Sequence, residues 1–446
     1  MKARTAWLLL VGLAVLLGST SPAAAQGQRS PYGVEEFNTY VETDPQRTPD
    51  PAARLQAIEA FLQKYPDSIL RAFVYPNQAQ TAFQLQRYPL CLQAVDNFMA
   101  MDRDQVSGFL QQSNLNQTQI DNIYFSGLIL HTYSFLQSFR NGTPQADALA
   151  ARGAERARQG LEFHQKLYAE VQPPADAAAR KQFEDTKLQQ EAAFRKVLAF
   201  VAERKKDYAA AAREYAPLAK LTPNDAWVNY RFGLASLQQP TPDYRTGIWH
   251  VARAIALKVN KSDEVRDYLT KVMSAHQQVL PECAADQVND VIAAAAQSPH
   301  PPADWRIVSA EQVTALRGEL TVKRIFDDLK AGGDTEHLIW LASCGLELPE
   351  LGGEILAVSQ NPDNLVTLAV AVTEESSNTK QPDIEVRVVA PPEAKNLKAG
   401  DFIHFTGVMG GYQKEPFFQL KLKDGKVKAE DIPKPTPARR GGSAGR

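Results

Sequence analysis

The chain has 446 residues, a length that predicts about two to four domains at roughly 100–200 residues per domain. Apolar residues make up 44% and charged residues 22% of the sequence, which excludes a disordered chain, a collagen-like repeat and a multi-span membrane protein. Lys plus Arg number 49 and Asp plus Glu 51, so the net charge of −2 lacks the basic excess of a dedicated nucleic-acid-binding protein.

The first 25 residues have the pattern of a secretory signal peptide. Lys2 and Arg4 supply positive charge, an apolar run of 12 residues follows at 7–18, and 23–25 is Ala-Ala-Ala, a sequence suited to cleavage. The alternative is an uncleaved anchor, but a helix of that length covers only about 18 Å of a hydrocarbon core about 30 Å thick. We expect cleavage after Ala25, which changes the net charge from −2 to −4. The short Ala-rich signal is typical of bacteria and indicates a periplasmic or secreted protein whose mature chain has no membrane span.

Helical periodicity dominates the region that follows. Residues 26–51 are rich in Gly, Pro, Asp and Thr and predict a flexible leader. A first helix carries Ala57, Phe61 and Leu62 on one side and ends at Tyr65-Pro66, because proline lacks the N–H that continues a helix. Further helices are predicted at Gln78–Arg87, Leu90–Met101, Gln119–Phe139 and Asp147–Leu167.

Part of this helical region repeats at a fixed register. A unit of 34 residues runs from Ala192 to Asp225, and a second unit follows with a two-residue insertion. An earlier stretch at residues 75–98 fits in part, through Ala79, Ala82, Cys91, Val95 and Phe98. The residues that define the register of the two tandem units, besides Leu218 and Val251, are Leu198, Ala199, Ala211, Tyr215, Pro223, Phe232, Gly233, Gly247 and Ala254.

This pattern resembles the tetratricopeptide repeat (TPR), a 34-residue helix–turn–helix with small residues where its helices cross and a proline near its end. The resemblance covers about residues 52–290, with clear motif residues in roughly 100 of them. It implies a helical solenoid, assigned to residues 52–296, because one helix pair cannot bury its apolar face alone and neighbouring pairs must share a core.

The resemblance also implies a binding groove, which the first helix of each unit lines and which holds peptides or partner helices. By register, the groove residues are Lys196, Phe200, Glu203, Trp227, Tyr230 and Leu234. Trp and Tyr are frequent binding anchors because they offer a large rigid area with a polar group. The alternative is that Trp227 and Tyr230 pack against adjacent helices.

A second domain is predicted at residues 310–432, after a linker at 297–309 that contains three prolines. Helices are expected at Glu311–Lys330, with Asp304 or Ser309 as the cap, and at Thr335–Cys344. The apolar period then changes to two, with turn residues at 361–363, 391–392 and 424–425. Five strands are predicted, at Glu354–Ser359, Leu365–Val372, Ile384–Val389, Phe402–Met409 and Phe417–Leu422.

Five short strands with a bend at Gly410-Gly411 fit a small closed barrel. The segment resembles an oligonucleotide/oligosaccharide-binding (OB) barrel. Residues 433–446 predict a disordered basic tail. The predicted fold class is therefore multidomain, an α-helical TPR-like solenoid followed by a small five-stranded β-barrel.

No motif for catalysis is found in the sequence. The seven His residues do not occur in HExxH or HxH spacing, and there is no Walker A loop, GxGxxG or GxSxG. We therefore predict no metal, no cofactor and no enzymatic activity. Cys344 is interpreted as a buried structural thiol and Cys91 as a packing residue. An oxidising compartment would pair two of Cys91, Cys283 and Cys344, but the sequence does not say which.

These observations predict an exported, non-enzymatic scaffold that binds a protein or peptide partner of the cell envelope through the TPR-like groove, with nucleic acid disfavoured. The alternative is that the barrel binds an oligosaccharide or oligonucleotide, with the helices as scaffold. Cations beside aromatic rings suit stacking on bases or sugars, but an amphipathic strand with aromatics inside and Lys outside explains the same pattern. The residues concerned are Lys421, Lys423, Lys426, Lys428, Phe402, Phe405, Tyr412, Phe417 and Phe418.

Overall fold

The structure, a computed structural model, describes residues 31–140, 142, 145–333, 335–363 and 365–433. The predicted signal peptide, and the predicted tail from residue 434 onward, lie outside these described residues. The chain divides into two compact units, Met1–Pro242 and Asp243–Arg446. In the described ranges, no helix is long and apolar enough to cross a membrane.

Most consecutive helices of the first unit pack against one another, as the predicted solenoid requires, whereas the fourth packs on the sixth rather than on the fifth. Their N-terminal caps are mostly side chains of Asp or Asn that accept a hydrogen bond from the first turn, as Asp50 does from the Ala53 N–H at 2.8 Å. The helices are α1 (Val34–Val41), α2 (Pro51–Lys64), α3 (Arg71–Gln84), α4 (Tyr88–Met99), α5 (Arg103–Gln112), α6 (Gln117–Ser138), α7 (Ala146–Glu170), α8 (Ala177–Arg204), α9 (Tyr208–Leu221) and α10 (Ala226–Leu237).

Two features at the start of this unit differ from the sequence prediction. The predicted flexible leader contains α1, whose Tyr40 ring lies 6.3 Å from that of Phe61 and 6.0 Å from that of Phe73. Helix α3 begins at Arg71, seven residues before the predicted Gln78, and continues through Pro76. Burial of Ala72 and Val74 accompanies this extension, so packing outweighs the preference of proline for a helix end.

Helices α8 and α9 form the helix pair predicted between Ala192 and Asp225. Ala199, Ala211 and Tyr215 are wholly buried in one apolar cluster, which Phe232 of α10 joins. Leu198 and Pro223 are half-buried. The first helix of this pair is much longer than a TPR helix, because α8 begins at Ala177. The earlier pair is α3 and α4, where Ala79, Ala82, Cys91 and Val95 share a buried cluster.

The second unit begins with six helices. Gly247 and Ala254, from the second predicted repeat, are buried on the first of them, whereas Gly233 is buried on α10 of the first unit. The helices are α11 (Tyr244–Ala256), α12 (Ser262–Gln277), α13 (Pro281–Gln297), α14 (Ala310–Glu319), α15 (Val322–Ala331) and α16 (Glu336–Ser343). The sequence predicted the domain boundary at residues 297–309. In the structure, α11 to α13 belong to the same compact unit as the barrel.

The helix predicted at Glu311–Lys330 is two helices. Ser309 caps α14, as expected, by accepting a hydrogen bond from the Gln312 N–H at 3.3 Å. The chain is extended at Leu320, and the Thr321 hydroxyl then caps α15 by accepting from the Arg324 N–H at 3.2 Å. Single-helix periodicity missed this break, although Gly318, two residues before Leu320, is a local signal for it.

The five strands close into a barrel in the order β1-β2-β3-β5-β4, which confirms the predicted barrel. Only the β3–β5 pair among these neighbours is parallel. Ile355, Leu368, Val386, Phe405 and Leu420 are buried in its core. The elements are β1 (Glu347–Gln360), β2 (Val366–Ala371), α17 (Glu374–Thr379), β3 (Ile384–Ala390), β4 (Phe402–Gln413) and β5 (Gln419–Val427).

Two predicted breaks in the barrel are bulges within strands. The Gly410-Gly411 pair lies inside β4, where the register against β5 shifts between Met409 and Gly411. The predicted turn at Asp424-Gly425 lies inside β5, where Asp424 has a φ of +53°. Strand β1 is also longer than predicted, because it begins at Glu347 rather than Glu354.

A disulfide joins Cys283 of α13 to Cys344, the residue after α16. The two Cα atoms are 5.8 Å apart and the residues are separated by 61 positions. Both side chains are buried, as expected for Cys344, and the disulfide settles which two of the three cysteines pair, a question that the sequence left open. A cross-link over a loop of this length removes roughly 4 kcal/mol of chain entropy from the unfolded state. Cys91 is free and buried.

A buried histidine lies beside a charge network in the first unit. His131 of α6 is wholly buried, and its Nε2 is 3.7 Å from Oδ1 of Asp96 on α4. Asp96 also pairs with Arg152 and Arg156 of α7, each at 3.1 Å. Burial lowers the pKa of His131 from 6.5 to about 4, more than the Asp96 carboxylate raises it.

The small residue at the α8–α9 crossing generates the first prediction. We expect Ala199→Leu to destabilise the protein by roughly 1–3 kcal/mol, because a wholly buried site has no room for three added carbons. Ala178→Leu, at an exposed position of the same helix, is the matched control. Urea unfolding measures the free energy of unfolding of the two variants. Equal values would contradict a close crossing of α8 and α9 at Ala199.

His131 generates a prediction of pH dependence. Its folded pKa of about 4 lies below the unfolded value of 6.5, so the unfolded chain takes up a proton first and stability falls as the pH drops from 6.5 towards 4. Between pH 7 and pH 5 this costs about 2 kcal/mol. His131→Phe should lose that much less stability over this interval than the wild-type protein in urea unfolding. His337→Phe, at a half-exposed side chain, is the control, and identical pH profiles for His131→Phe and wild type would contradict the prediction.

Candidate functional site

The six predicted groove residues lie on two helices of the first unit. Lys196, Phe200 and Glu203 are spaced i, i+4 and i+7 on α8, and Trp227, Tyr230 and Leu234 are spaced i, i+3 and i+7 on α10. Such spacings place each set along one side of its helix. We use the name α8–α10 face for Lys196 and Glu203 of α8, Trp227 and Arg231 of α10, and Asp225, which precedes α10.

Trp227 is the exposed aromatic residue of this face. Its side chain is 38% exposed, which is unusual for a residue of its size. Its ring lies 6.1 Å from the wholly buried ring of Tyr215, in an edge-on arrangement. The carboxylate of Asp225 caps α10 by accepting from the N–H groups of Trp227 at 2.9 Å and Val228 at 3.1 Å. The cap therefore fixes the first turn of α10, which carries the indole. One edge of the indole packs on Tyr215, and part of it remains open to solvent.

Lys196 connects α8 to this tryptophan. Its Nζ lies 4.5 Å from the centroid of the Trp227 ring, within the range of a cation–π contact. The same Nζ is 3.8 Å from Oδ2 of Asp225. The lysine thus lies between an aromatic ring and a carboxylate, and it covers part of the indole that would otherwise be exposed.

Glu203 and Arg231 form a two-pronged ion pair below Trp227. Nε of Arg231 donates to both carboxylate oxygens, at 3.0 and 3.1 Å, and its Nη2 donates at 2.5 Å. Only 7% of the Glu203 side chain is exposed. The guanidinium carbon is 6.0 Å from the Trp227 ring centroid. Glu203 is therefore a buried partner that positions Arg231, rather than a residue open to a ligand.

The electrostatics of this pair extend to Tyr215. Burial would lower the pKa of Arg231, but its hydrogen bonds to Glu203 raise the pKa above its usual value. Burial raises the pKa of the Tyr215 hydroxyl, and the Glu203 carboxylate raises it further. Arg231 thus remains charged and Tyr215 neutral across the physiological pH range.

The other predicted groove residues have different surroundings. The Phe200 ring lies 6.3 Å from that of Phe135 on α6 and 5.3 Å from that of Phe139, in the α6–α7–α8 core. Phe200 is thus separate from the cluster around Trp227. Tyr230 and Leu234 are half-buried on α10.

Sequence reasoning missed two members of the face, Asp225 and Arg231, and assigned Tyr215 to packing alone. Asp225 had a local signal, since an Asp before a helical run is a frequent N-cap. Arg231 follows Trp227 by one helical turn, which is also a local signal. Its pairing with Glu203, 28 residues earlier, has none.

The barrel aromatics and lysines follow the amphipathic alternative. Phe405 is buried in the barrel core, Phe418 packs against Phe326 at 5.9 Å, and the Tyr412 hydroxyl donates to Oε1 of Glu336 at 2.6 Å. Phe402 is 59% exposed, whereas Phe417 is half-buried. Three β5-side lysines each lie near a carboxylate, in the pairs Lys423–Glu282 at 3.3 Å, Lys426–Glu347 at 3.7 Å and Lys428–Glu350 at 3.0 Å. These contacts do not favour a stacking surface for bases or sugars on β5.

The described ranges contain no group of three or more His, Cys, Asp or Glu side chains that could hold a metal ion.

No family model and no curated protein matches the chain. Two similar solved structures are the C-terminal part of a TPR repeat-containing protein from Cytophaga hutchinsonii and the complex of the TPR2AB domain of yeast Sti1 with pHSP90. The first is 12% identical, covers 59% of this chain and 92% of that chain, and has a TM-score of 0.23. The second is 12% identical, covers 60% of this chain and 100% of that chain, and has a TM-score of 0.19. Both are TPR proteins by name, the family that the sequence resembles. Both TM-scores are below 0.5, so the fold is described from the helix pairs of this chain and not from these two structures.

Proposed function

We propose that the protein is a non-enzymatic scaffold that binds a protein or peptide partner through the α8–α10 face. The observation that carries this proposal is Trp227, an exposed indole held in place from several sides. Large aromatic residues in fixed positions account for much of the binding energy at protein interfaces. A fixed indole also loses little side-chain entropy on binding, so more of the contact energy appears as affinity.

The charges around Trp227 support recognition of a partner surface rather than catalysis. Lys196 pairs with Asp225 and Arg231 with Glu203, so each cation of the face already has a carboxylate partner. None of these groups has the partly buried, unpaired character of a catalytic acid or base. They form a polar border around an apolar anchor, which is the usual arrangement of an interface.

Substitution of the indole tests this proposal. We expect Trp227→Ala to weaken partner capture from a periplasmic extract at least tenfold, because loss of a central aromatic anchor costs about 2 kcal/mol or more. Leu188→Ala, which removes a side chain of similar exposure (40%) from α8, is the matched control and should retain capture. Capture is quantified by pull-down with immobilised full-length protein, and circular dichroism establishes that both variants are folded. A folded Trp227→Ala that captures the same partners as wild type would remove Trp227 as the anchor.

We also propose that the protein acts in the periplasm or outside the cell. The signal-peptide pattern of residues 1–25 supports this location. The buried Cys283–Cys344 disulfide is a second, independent support, because disulfides form and persist in oxidising compartments and are rare in the cytosol.

Export and disulfide formation are tested together in a bacterial host. We expect the wild-type protein in the periplasmic fraction, with Gln26 as its first residue and with one thiol, Cys91, that alkylates after denaturation. Leu10→Arg interrupts the apolar run and should retain the chain in the cytoplasm with three reactive thiols. N-terminal sequencing and mass spectrometry of the alkylated protein measure both results. An uncleaved wild-type chain in the cytoplasm would contradict the proposal.

A further inference from the structure

The proline-rich segment between α13 and α14 is held by α11. We call Ser298–Arg306 the strap; all of it, and α11, belong to the second compact unit. The strap forms neither helix nor strand. Within it, the backbone makes one turn-like hydrogen bond, from the Trp305 N–H to the Pro302 carbonyl at 3.1 Å. Side chains supply further hydrogen bonds to its backbone, from Ser298 and Arg306 within the strap and from Arg245 of the helix beneath it.

Three residues on one side of α11 contact the segment that runs from the end of α13 through the strap. Arg245, Trp249 and Arg253 are spaced i, i+4 and i+8, which places them on one side of the helix. Nη1 of Arg253 donates to the carbonyl oxygens of Ala295 at 2.8 Å and Ala296 at 2.9 Å, at the end of α13.

Arg245 makes the corresponding contacts to the strap. Its Nε donates to the Trp305 carbonyl at 3.1 Å, and its Nη2 donates to the carbonyls of Pro301, at 3.5 Å, and Pro302. The two arginines thus bind five backbone carbonyls between Ala295 and Trp305 and contact no acidic side chain of the strap through these bonds.

Aromatic rings complete the contact. The Trp305 ring meets the Trp249 ring edge-on at 5.0 Å, and the His300 ring lies 6.0 Å from that of His250. Trp249 is wholly buried, and its Nε1 has no hydrogen-bond partner among the described residues. Trp305 is half-buried, whereas Pro302, Ala303 and Asp304 are exposed. The strap is therefore anchored at its rings and open to solvent between them.

This combination matches the chemistry by which proline-rich segments are recognised. Proline has no N–H and a fixed φ, so a Pro-Pro sequence loses little chain entropy when its carbonyls are bound, as those of Pro301 and Pro302 are by Arg245. Aromatic side chains and polar donors together recognise such segments. On α11, Arg245 supplies the donors and Trp249 supplies a ring, which contacts the ring of Trp305.

We propose that the Arg245–Trp249 surface of α11 is a recognition site for proline-rich segments that carry an aromatic residue, and that the strap occupies it in cis. A covalently attached segment acts at an effective concentration of about millimolar, so it excludes a weaker external ligand. When the ring anchor of the strap is released, a second proline-rich segment of the same chemistry binds in its place.

Fluorescence anisotropy with the full-length protein tests this proposal. The probe is a fluorescein-labelled peptide with the sequence of Ser298–Arg306. We expect Trp305→Ala, which removes the cis anchor, to bind the peptide at least tenfold more tightly than wild type. The double variant Trp305→Ala/Arg245→Ala should lose that gain, because the carbonyl donors are absent. A peptide with Ala in place of all three prolines, Pro299, Pro301 and Pro302, is the matched control and should not bind to Trp305→Ala.

The outcomes separate recognition from simple packing. If Trp305→Ala is folded by circular dichroism but binds the peptide no better than wild type, the proposal is overturned. Binding of the Pro-to-Ala peptide with equal affinity overturns it as well. Should Trp305→Ala fail to fold, Pro302→Gly is used, because Pro302 is exposed and both rings remain. A smaller gain in peptide affinity for Pro302→Gly supports the proposal, and affinity equal to that of wild type overturns it.

Discussion

The close approach of neighbouring helices is the constraint on which the first unit depends. A Cβ atom on Gly160 of α7 would lie 2.1 Å from the Phe194 ring of α8, and one on Gly153 would lie 2.7 Å from the Phe135 ring of α6. Only a residue without a side chain leaves room for these rings. Ala199 allows the same approach between α8 and α9. Because a helix pair cannot bury its apolar surface alone, each crossing fixes the position of the next helix.

The α8–α10 face follows from that chain of crossings. Phe194 packs α8 against α7, whereas Ala199 lies one turn from both Lys196 and Glu203, on the side of α8 that meets α9 and α10. The Glu203–Arg231 pair then sets how α10 meets α8, and the Asp225 cap sets where its first turn begins. Trp227 is exposed as a consequence of this geometry rather than for lack of a partner. The same residues that build the fold thus position the anchor.

Local patterns predicted those parts of the structure that depend on a few adjacent residues. Apolar alternation located the barrel strands β2 and β3 and the start of β4 closely, and Pro223 and Asp225 marked the end of one helix pair and the start of the next. What the sequence did not predict depends on residues far apart in the chain. The Cys283–Cys344 bond spans 61 positions, and the Glu203–Arg231 pair spans 28. The first half of β1 was missed because Pro349, Gly352 and Gly353 are typical of turns, although here pairing with β4 holds them in a strand.

If the α8–α10 face binds a partner as proposed, its balance of charge determines what kind of partner it can distinguish. Lys196 and Arg231 are matched by Asp225 and Glu203, so the face presents little net charge to an approaching molecule. Long-range attraction would therefore contribute little, and salt would weaken association only slightly, since screening acts mainly on unbalanced charge. Selectivity must come instead from the fit of an apolar group against the exposed part of the Trp227 ring. The paired charges would then act against incorrect partners. A partner that separates Lys196 from Asp225, or Arg231 from Glu203, and buries one of the two leaves an uncompensated charge. That costs far more free energy than the loss of a surface contact.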